Sequence, residues 1–142
     1  MPTSTRFAVA SHILTALAMT EGKPVRSEDI ATSVNTSAVV IRGILSRLND
    51  AGLTRSQLGS GGGALLARSA AEIRLLDVYA AVEDTELFAV HRTAPCTSCP
   101  VGANILDVIN PALARARAAL EAELGKTTIA DLAGTIRELA KT

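Results

Sequence analysis

The stretch from Ser27 to Arg68 narrows the possible folds more than any other part of this chain. In it a short helical pattern, a tight turn, a longer helical pattern and a glycine-rich bend follow one another directly. The first pattern opens at Ser27, whose hydroxyl is placed to accept from the backbone N–H near Ile30, and Glu28 and Asp29 suit the positive end of the helix dipole. It ends by Val34; Asn35 supplies the turn, and Thr36 or Ser37 caps the next helix. There Ile41, Ile44, Leu45 and Leu48 recur at helical spacing and mark one buried sector, and Gly52 stops the run. Two strand-like runs, Leu53 to Gln57 and Ala64 to Ala67, flank the bend Gly59-Ser60-Gly61-Gly62-Gly63, where glycine supplies positive φ without steric cost. Helix, turn, helix and hairpin in this order predict a winged helix-turn-helix domain, mainly α with a small β-hairpin wing.

The outer face of the second of these helices has its own chemistry. At 100° per residue, Val39, Gly43 and Ser46 lie opposite the buried sector, flanked by Arg42 and Arg47. Small residues let a backbone sink toward base edges, arginines reach guanine or phosphate, and Val39 suits a thymine methyl. The wing lacks the Lys-Ser/Thr ending of a phosphate-binding loop. As a wing tip, Ser60, Gly61 and Gly62 are side-chain-poor enough to approach a DNA backbone, with Arg55 and Arg68 nearby for phosphates. Ser27, Thr36 and Ser37, at the helix entries, complete this candidate set for double-stranded DNA. Leu58, at the edge of the bend, has no evident role.

Composition limits the rest. With 48% apolar and only 2% aromatic side chains, the core must be aliphatic, and single-stranded nucleic acid held by stacked aromatics is disfavoured. Fourteen basic and fourteen acidic residues cancel, so DNA binding must rest on local placement of charge. No membrane span or signal sequence is evident, and a cytoplasmic location is expected.

A first helix is predicted from about Ser4 to Thr20, its buried face carrying Phe7, Ala10, Ile13, Leu14, Leu17 and Ala18, with His12 structural or at the surface. A capping-box spacing at Ser69 to Glu72 precedes a helix from Leu75 to Glu83. An alanine-rich helix from Val101 to Leu124 carries Leu106, Ile109, Leu113, Ala116 and Leu120 as a heptad-like seam, with Asn110-Pro111 expected to kink or restart it. Such a seam wants a partner, and the economical one is the same helix of a second subunit, giving a homodimer that reads two half-sites. The last helix, Thr128 to Ala140, is expected to buttress that dimer. The domain plan is residues 1–83 for DNA binding, 84–100 for a cysteine-containing loop and 101–142 for helical dimerisation.

Only two cysteines are present, Cys96 and Cys99, spaced for redox or metal chemistry in a reducing compartment. A small Cys-x-x-Cys oxidoreductase is the enzymatic alternative, but no βαβ pattern surrounds the motif, and a non-enzymatic role is expected. A helical protein-interaction module is another alternative.

Four segments together carry a resemblance. They are Ser4 to Ala10 with His12 to Leu14, Ile41-Arg42 through Ala51-Gly52-Leu53, Gly61 to Ala67, and Cys99-Pro-Val-Gly-Ala-Asn-Ile105. Their order and spacing resemble the Rrf2 family of bacterial transcription regulators over nearly the whole chain. The resemblance implies a homodimeric winged helix-turn-helix repressor or activator, a sensing site in the cysteine loop, and phosphate contacts from Thr5 and Arg6. Members that bind a [2Fe-2S] cluster resemble one another in having three cysteines in this loop plus a further ligand, whereas this chain has two. Even with help from His91 or Asp84, or with a site shared by two subunits, a cluster is the alternative, and no metal or cofactor is expected. Cys99-Pro-Val-Gly is similar to the segment that cluster-free members use for thiol sensing. Cys99, just before the long helix, would be held as thiolate, and Cys96 would resolve a sulfenic acid into a disulfide, either with Cys99 or across the dimer.

Overall fold

The computed structural model describes residues 4–84 and 86–141. Among these, the regular structure is helical apart from one antiparallel hairpin. In order it forms α1 (Arg6–Met19), α2 (Ser27–Val34), α3 (Ala38–Asp50), β1 (Thr54–Gln57), β2 (Gly63–Leu66), a 3-10 turn (Ala70–Glu72), α4 (Leu75–Val82), α5 (Pro100–Leu124) and α6 (Ile129–Ala140). This is the mainly α architecture with a small wing that the pattern predicts. It divides into two compact units: the chain up to Glu83 together with the chain from Leu124 onward, and Asp84–Glu123.

The first unit is built around α1. Ala10, Ile13 and Leu14 of α1 are wholly buried, and the same core holds Ile30 of α2, Ile41 and Leu48 of α3, Val78 and Val82 of α4, and Ile129 and Ala133 of α6. Each large aliphatic side chain removed from water in this way contributes roughly 1.5–3 kcal/mol. Phe7 and Tyr79 meet edge to face with ring centroids 6.0 Å apart.

Residues 101–142 divide between the two units, with α6 packed on α1 in the first and α5 in the second. The α6 entry is pinned by Ile129 N–H donating to the Ile73 carbonyl (2.8 Å) and Leu75 N–H donating to the Thr127 carbonyl (2.9 Å). Arg137 donates to the Ala18 carbonyl near the end of α1 (3.3 Å). An amphipathic stripe states that one face must be covered, not by what.

The helix ends follow local chemistry, with two departures. Ser37 accepts from Val40 N–H (3.2 Å) and caps α3, Asn35 is left-handed (φ 65°), and Thr128 and Asp131 form the capping box that opens α6. Ser27, however, is the first helical residue rather than the cap. Arg26 takes the cap position, its carbonyl accepting from Asp29 and Ile30 N–H at 3.0 and 3.1 Å. Likewise Ser69 caps only the 3-10 turn, and the carboxylate that closes the next helix start is Asp77, accepting from Arg74 N–H at 2.9 Å.

The hairpin pairs Thr54 with Leu66, Arg55 with Leu65, Ser56 with Ala64 and Gln57 with Gly63. Val25 adds a bridge on its far side, exchanging both backbone hydrogen bonds with Ala64 (3.0 and 2.8 Å). A Cβ at Gly63 would lie 2.5 Å from the Val25 carbonyl oxygen, so this approach requires glycine.

In the second unit an irregular loop precedes α5, a 25-residue helix none of whose residues is buried. It runs through Pro111, so Asn110 is helical and not a cap. Pro111 is exposed, which leaves solvent to satisfy the carbonyl its ring frees. Part of the predicted seam has company within the unit. Leu106, Ile109 and Leu113 line a groove of about 340 Å³ together with Phe88, Ala89, Val90 and His91 of the loop. Val101 and Val108 are 68% and 70% exposed.

Candidate nucleic-acid interface and cysteine loop

Burial of Ile41, Ile44, Leu45 and Leu48 turns the opposite side of α3 outward. Val39 is 74% exposed, and Arg42, Gly43 and Ser46 are exposed with it. Arg42 Nη2 donates to Glu28 Oε1 at 2.7 Å, and the second oxygen of that carboxylate lies 3.6 Å from Arg26 Nε. The Glu28 carboxyl is held below its ordinary range, first by its own backbone N–H and then, against some desolvation, by Arg42 and Arg26. Thr36 and Ser37, at the entry to α3, are exposed, and Ser27 is half-buried.

The remaining candidates divide by what holds them. Arg55 on β1 is exposed and has no ion-pair partner among the described residues, and Ser60 and Gly61 are exposed at the wing tip beside half-buried Gly62. Arg47, Arg6 and Arg68 are instead tethered to their own fold. Arg47 Nη1 donates to the Val82 carbonyl at 3.5 Å, and Arg6 Nε donates to the same carbonyl at 2.8 Å, with Glu83 3.9 Å away. Arg68 Nη2 donates to the Glu72 carbonyl at 2.6 Å and lies 3.6 Å from Asp77. Thr5 is exposed at the α1 cap position without a side-chain cap bond. Leu58 is 89% exposed.

Two residues outside the sequence-derived set shape this surface. Glu28, which the sequence marks only as a helix-dipole charge, is the partner of Arg42. Asn49, in the last turn of α3, joins that helix to the wing: its amide donates to Ser56 Oγ (3.3 Å) and its carbonyl oxygen accepts from the Thr54 hydroxyl. An Asn followed by alternating hydroxyl residues, Thr54 and Ser56, is the signal that the sequence offers for it. His12 is exposed and shares a 2.8 Å hydrogen bond with Ser33, as befits a surface histidine.

In the cysteine loop both sulfurs accept hydrogen bonds from neighbouring donors. Both thiols are exposed and unlinked. The Gly102 N–H and then the Val101 N–H, at the amino end of α5, hold the Cys99 thiol below its ordinary range. The Cys96 thiol is also lowered, first by the Ser98 hydroxyl 3.0 Å away and then by the Ser98 and Cys99 N–H groups. A side chain at Gly102 would run into the Cys96 carbonyl, so the loop wraps over a glycine. Among the described residues no three His, Cys, Asp or Glu side chains come together as a metal site.

No helix among the described residues is long and apolar enough to cross a membrane. Residues 3–135 match the Rrf2 family model, described as an iron-dependent transcriptional regulator. YwnA of Bacillus subtilis (strain 168), described as a candidate HTH-type transcriptional regulator, is 41% identical over 130 residues, covering 91% of this chain and 95% of that protein. A crystal structure described as a candidate DNA binding protein superposes with a TM-score of 0.72 at 37% identity, covering 89% of this chain and 97% of the other. The oxidized form of Staphylococcus aureus CymR superposes with a TM-score of 0.66 at 28% identity, covering 94% and 96%. In sequence and in fold alike, the chain belongs to the Rrf2 family of transcriptional regulators.

Proposed function

We propose that this regulator is a cytoplasmic homodimeric repressor that binds double-stranded DNA sequence-specifically and whose operator affinity changes with oxidation of Cys96 and Cys99. The observation that carries the DNA-binding reading is the outward face of α3, where Val39, Arg42, Gly43 and Ser46 are exposed while the apolar side is buried. Pairing of two chains is supported by α5, whose apolar Val101 and Val108 stand in solvent. Thiol control is supported by two exposed sulfurs held toward thiolate by N–H and hydroxyl donors.

The chemistry balances with a peroxide as oxidant. The Cys99 thiolate attacks one peroxide oxygen; an S–O bond forms, the O–O bond breaks, and hydroxide leaves to be protonated. The Cys96 thiolate then attacks the sulfenic sulfur, an S–S bond forms, and the hydroxyl leaves as water. Hydrogen peroxide is reduced to two waters and two thiols are oxidised. The tethers on Arg6, Arg47 and Arg68 must yield before those side chains can reach phosphates; Arg55 needs no such release, and Arg42 is held to Glu28 on the outer face of α3.

Duplexes recovered from a random pool by the purified protein test this reading. Arg42→Ala should relax base preference by a factor corresponding to about 1–3 kcal/mol at one position, whereas Arg55→Ala should weaken all duplexes alike and flatten the salt dependence by about one unit of slope. Equal effects of both on every duplex would contradict the assignment. After peroxide, mass spectrometry should find a Cys96–Cys99 disulfide and the selected duplex should bind differently. Stoichiometric iron with visible absorption in anaerobically purified protein would favour a cluster instead.

A further inference from the structure

We propose that Glu28 is a positioning residue for base readout: from the first turn of α2 its carboxylate holds the Arg42 guanidinium on the outer face of α3 and sets Arg26 beside it as an additional phosphate contact. This rests on the reading that the outer face of α3 enters a duplex groove.

The geometry divides one carboxylate between two arginines. Oε1 accepts from Arg42 Nη2 at 2.7 Å, the range of a charge-assisted hydrogen bond, and Oε2 faces Arg26 Nε at 3.6 Å. The cluster therefore carries a net single positive charge, two guanidinium groups against one carboxylate. A lone carboxylate at this rim would repel phosphate; with two arginine partners it becomes a fixed acceptor that orients them. An exposed arginine otherwise samples many rotamers, and holding one in place spares that ordering when the duplex arrives. Only Nη2 of Arg42 is engaged among the described residues, which leaves the Nη1 edge of the fork for a guanine. The side chains of Arg26, Glu28 and Arg42 are 67%, 49% and 56% exposed, so the pairs add little to folding and their effect lies in orientation. The Glu28 backbone N–H further favours the ionised form, so the carboxylate stays charged through neutral pH.

The test uses duplexes selected by the wild-type protein from a random pool, with a panel of single-base-pair variants, read by fluorescence anisotropy. Glu28→Gln keeps the shape and removes the charge. It should lower discrimination roughly five- to tenfold at the base pair that Arg42→Ala also affects, within the range of one bidentate contact, and leave other positions and the unfolding midpoint unchanged. In an Arg42→Ala background the same change should have no further effect on discrimination. Arg26→Ala should weaken every duplex alike with a shallower salt slope. The proposal is overturned if Glu28→Gln tightens all duplexes with discrimination intact, or if it loosens discrimination equally with and without Arg42. Failure of the wild-type protein to prefer any duplex would overturn the underlying reading of α3, and this proposal with it.

Discussion

Gly63 stands opposite Gln57 in the hairpin, and a methyl group there would meet the Val25 backbone at 2.5 Å. Gly63→Ala should therefore destabilise the wing by about 1–3 kcal/mol, the range for overpacking a close approach, and an unchanged thermal midpoint would contradict the Val25 bridge. The thiols give a second residue-scale outcome. Thiolate is the reactive form, and a folded value below the ordinary one means that more thiolate is present at neutral pH than in the unfolded chain. Alkylation of the native protein should rise with pH through a midpoint below that of the urea-unfolded chain. Ser98→Ala should move the Cys96 midpoint upward and leave Cys99 in place; coincident native and unfolded curves would contradict the donor geometry. The buried side of α3 and the Ser37 cap are legible in sequence because each depends on neighbours within one helix turn. The Glu28–Arg42 pair is not, because how α2 crosses α3 decides which surface charges meet. The tethers on Arg6 and Arg47 are hidden for a related reason: their acceptor is the Val82 backbone carbonyl, which no side-chain pattern announces.

At the scale of elements, α6 depends on what covers it. Ile129 is wholly buried in the same core as α1, so Ile129→Ala should destabilise the winged unit by about 2–5 kcal/mol, seen as an earlier denaturant midpoint for α1, α2 and α3 together. A midpoint shift confined to the α5 unit would favour the assignment of residues 101–142 to one region. The stripe Ile129, Leu132, Ile136 and Leu139 is visible in sequence, but only its first part is covered, Ile136 and Leu139 being exposed, and a stripe facing α1 and one facing a second subunit look alike. The α5 seam is ambiguous in the same way: Leu106, Ile109 and Leu113 line a groove with Phe88 and Val90 of their own unit. Pro111 suggests a break because proline removes a donor and crowds the preceding turn, yet an exposed helix tolerates it. The hairpin is legible because a bend of four glycines and one serine between Leu58 and Ala64 leaves little choice of turn, whereas the Val25 bridge joins segments far apart in the chain.

For the whole molecule, a net charge of zero means that attraction to DNA must come from where the charges sit. On the proposed reading Arg26, Arg42 and Arg55 would supply that local excess, and a second subunit would double it along one face of a duplex. Membership of the Rrf2 family fixes the regulatory role and leaves the pairing of chains as the claim on which the functional account turns. Hydroxyl-radical footprinting of the wild-type protein on its selected duplex tests that claim most directly. Two protected patches on one face of the helix, centred about 10 base pairs or a multiple of that apart, are the predicted result. A single patch one half-site wide, at protein concentrations that saturate the duplex, would contradict it.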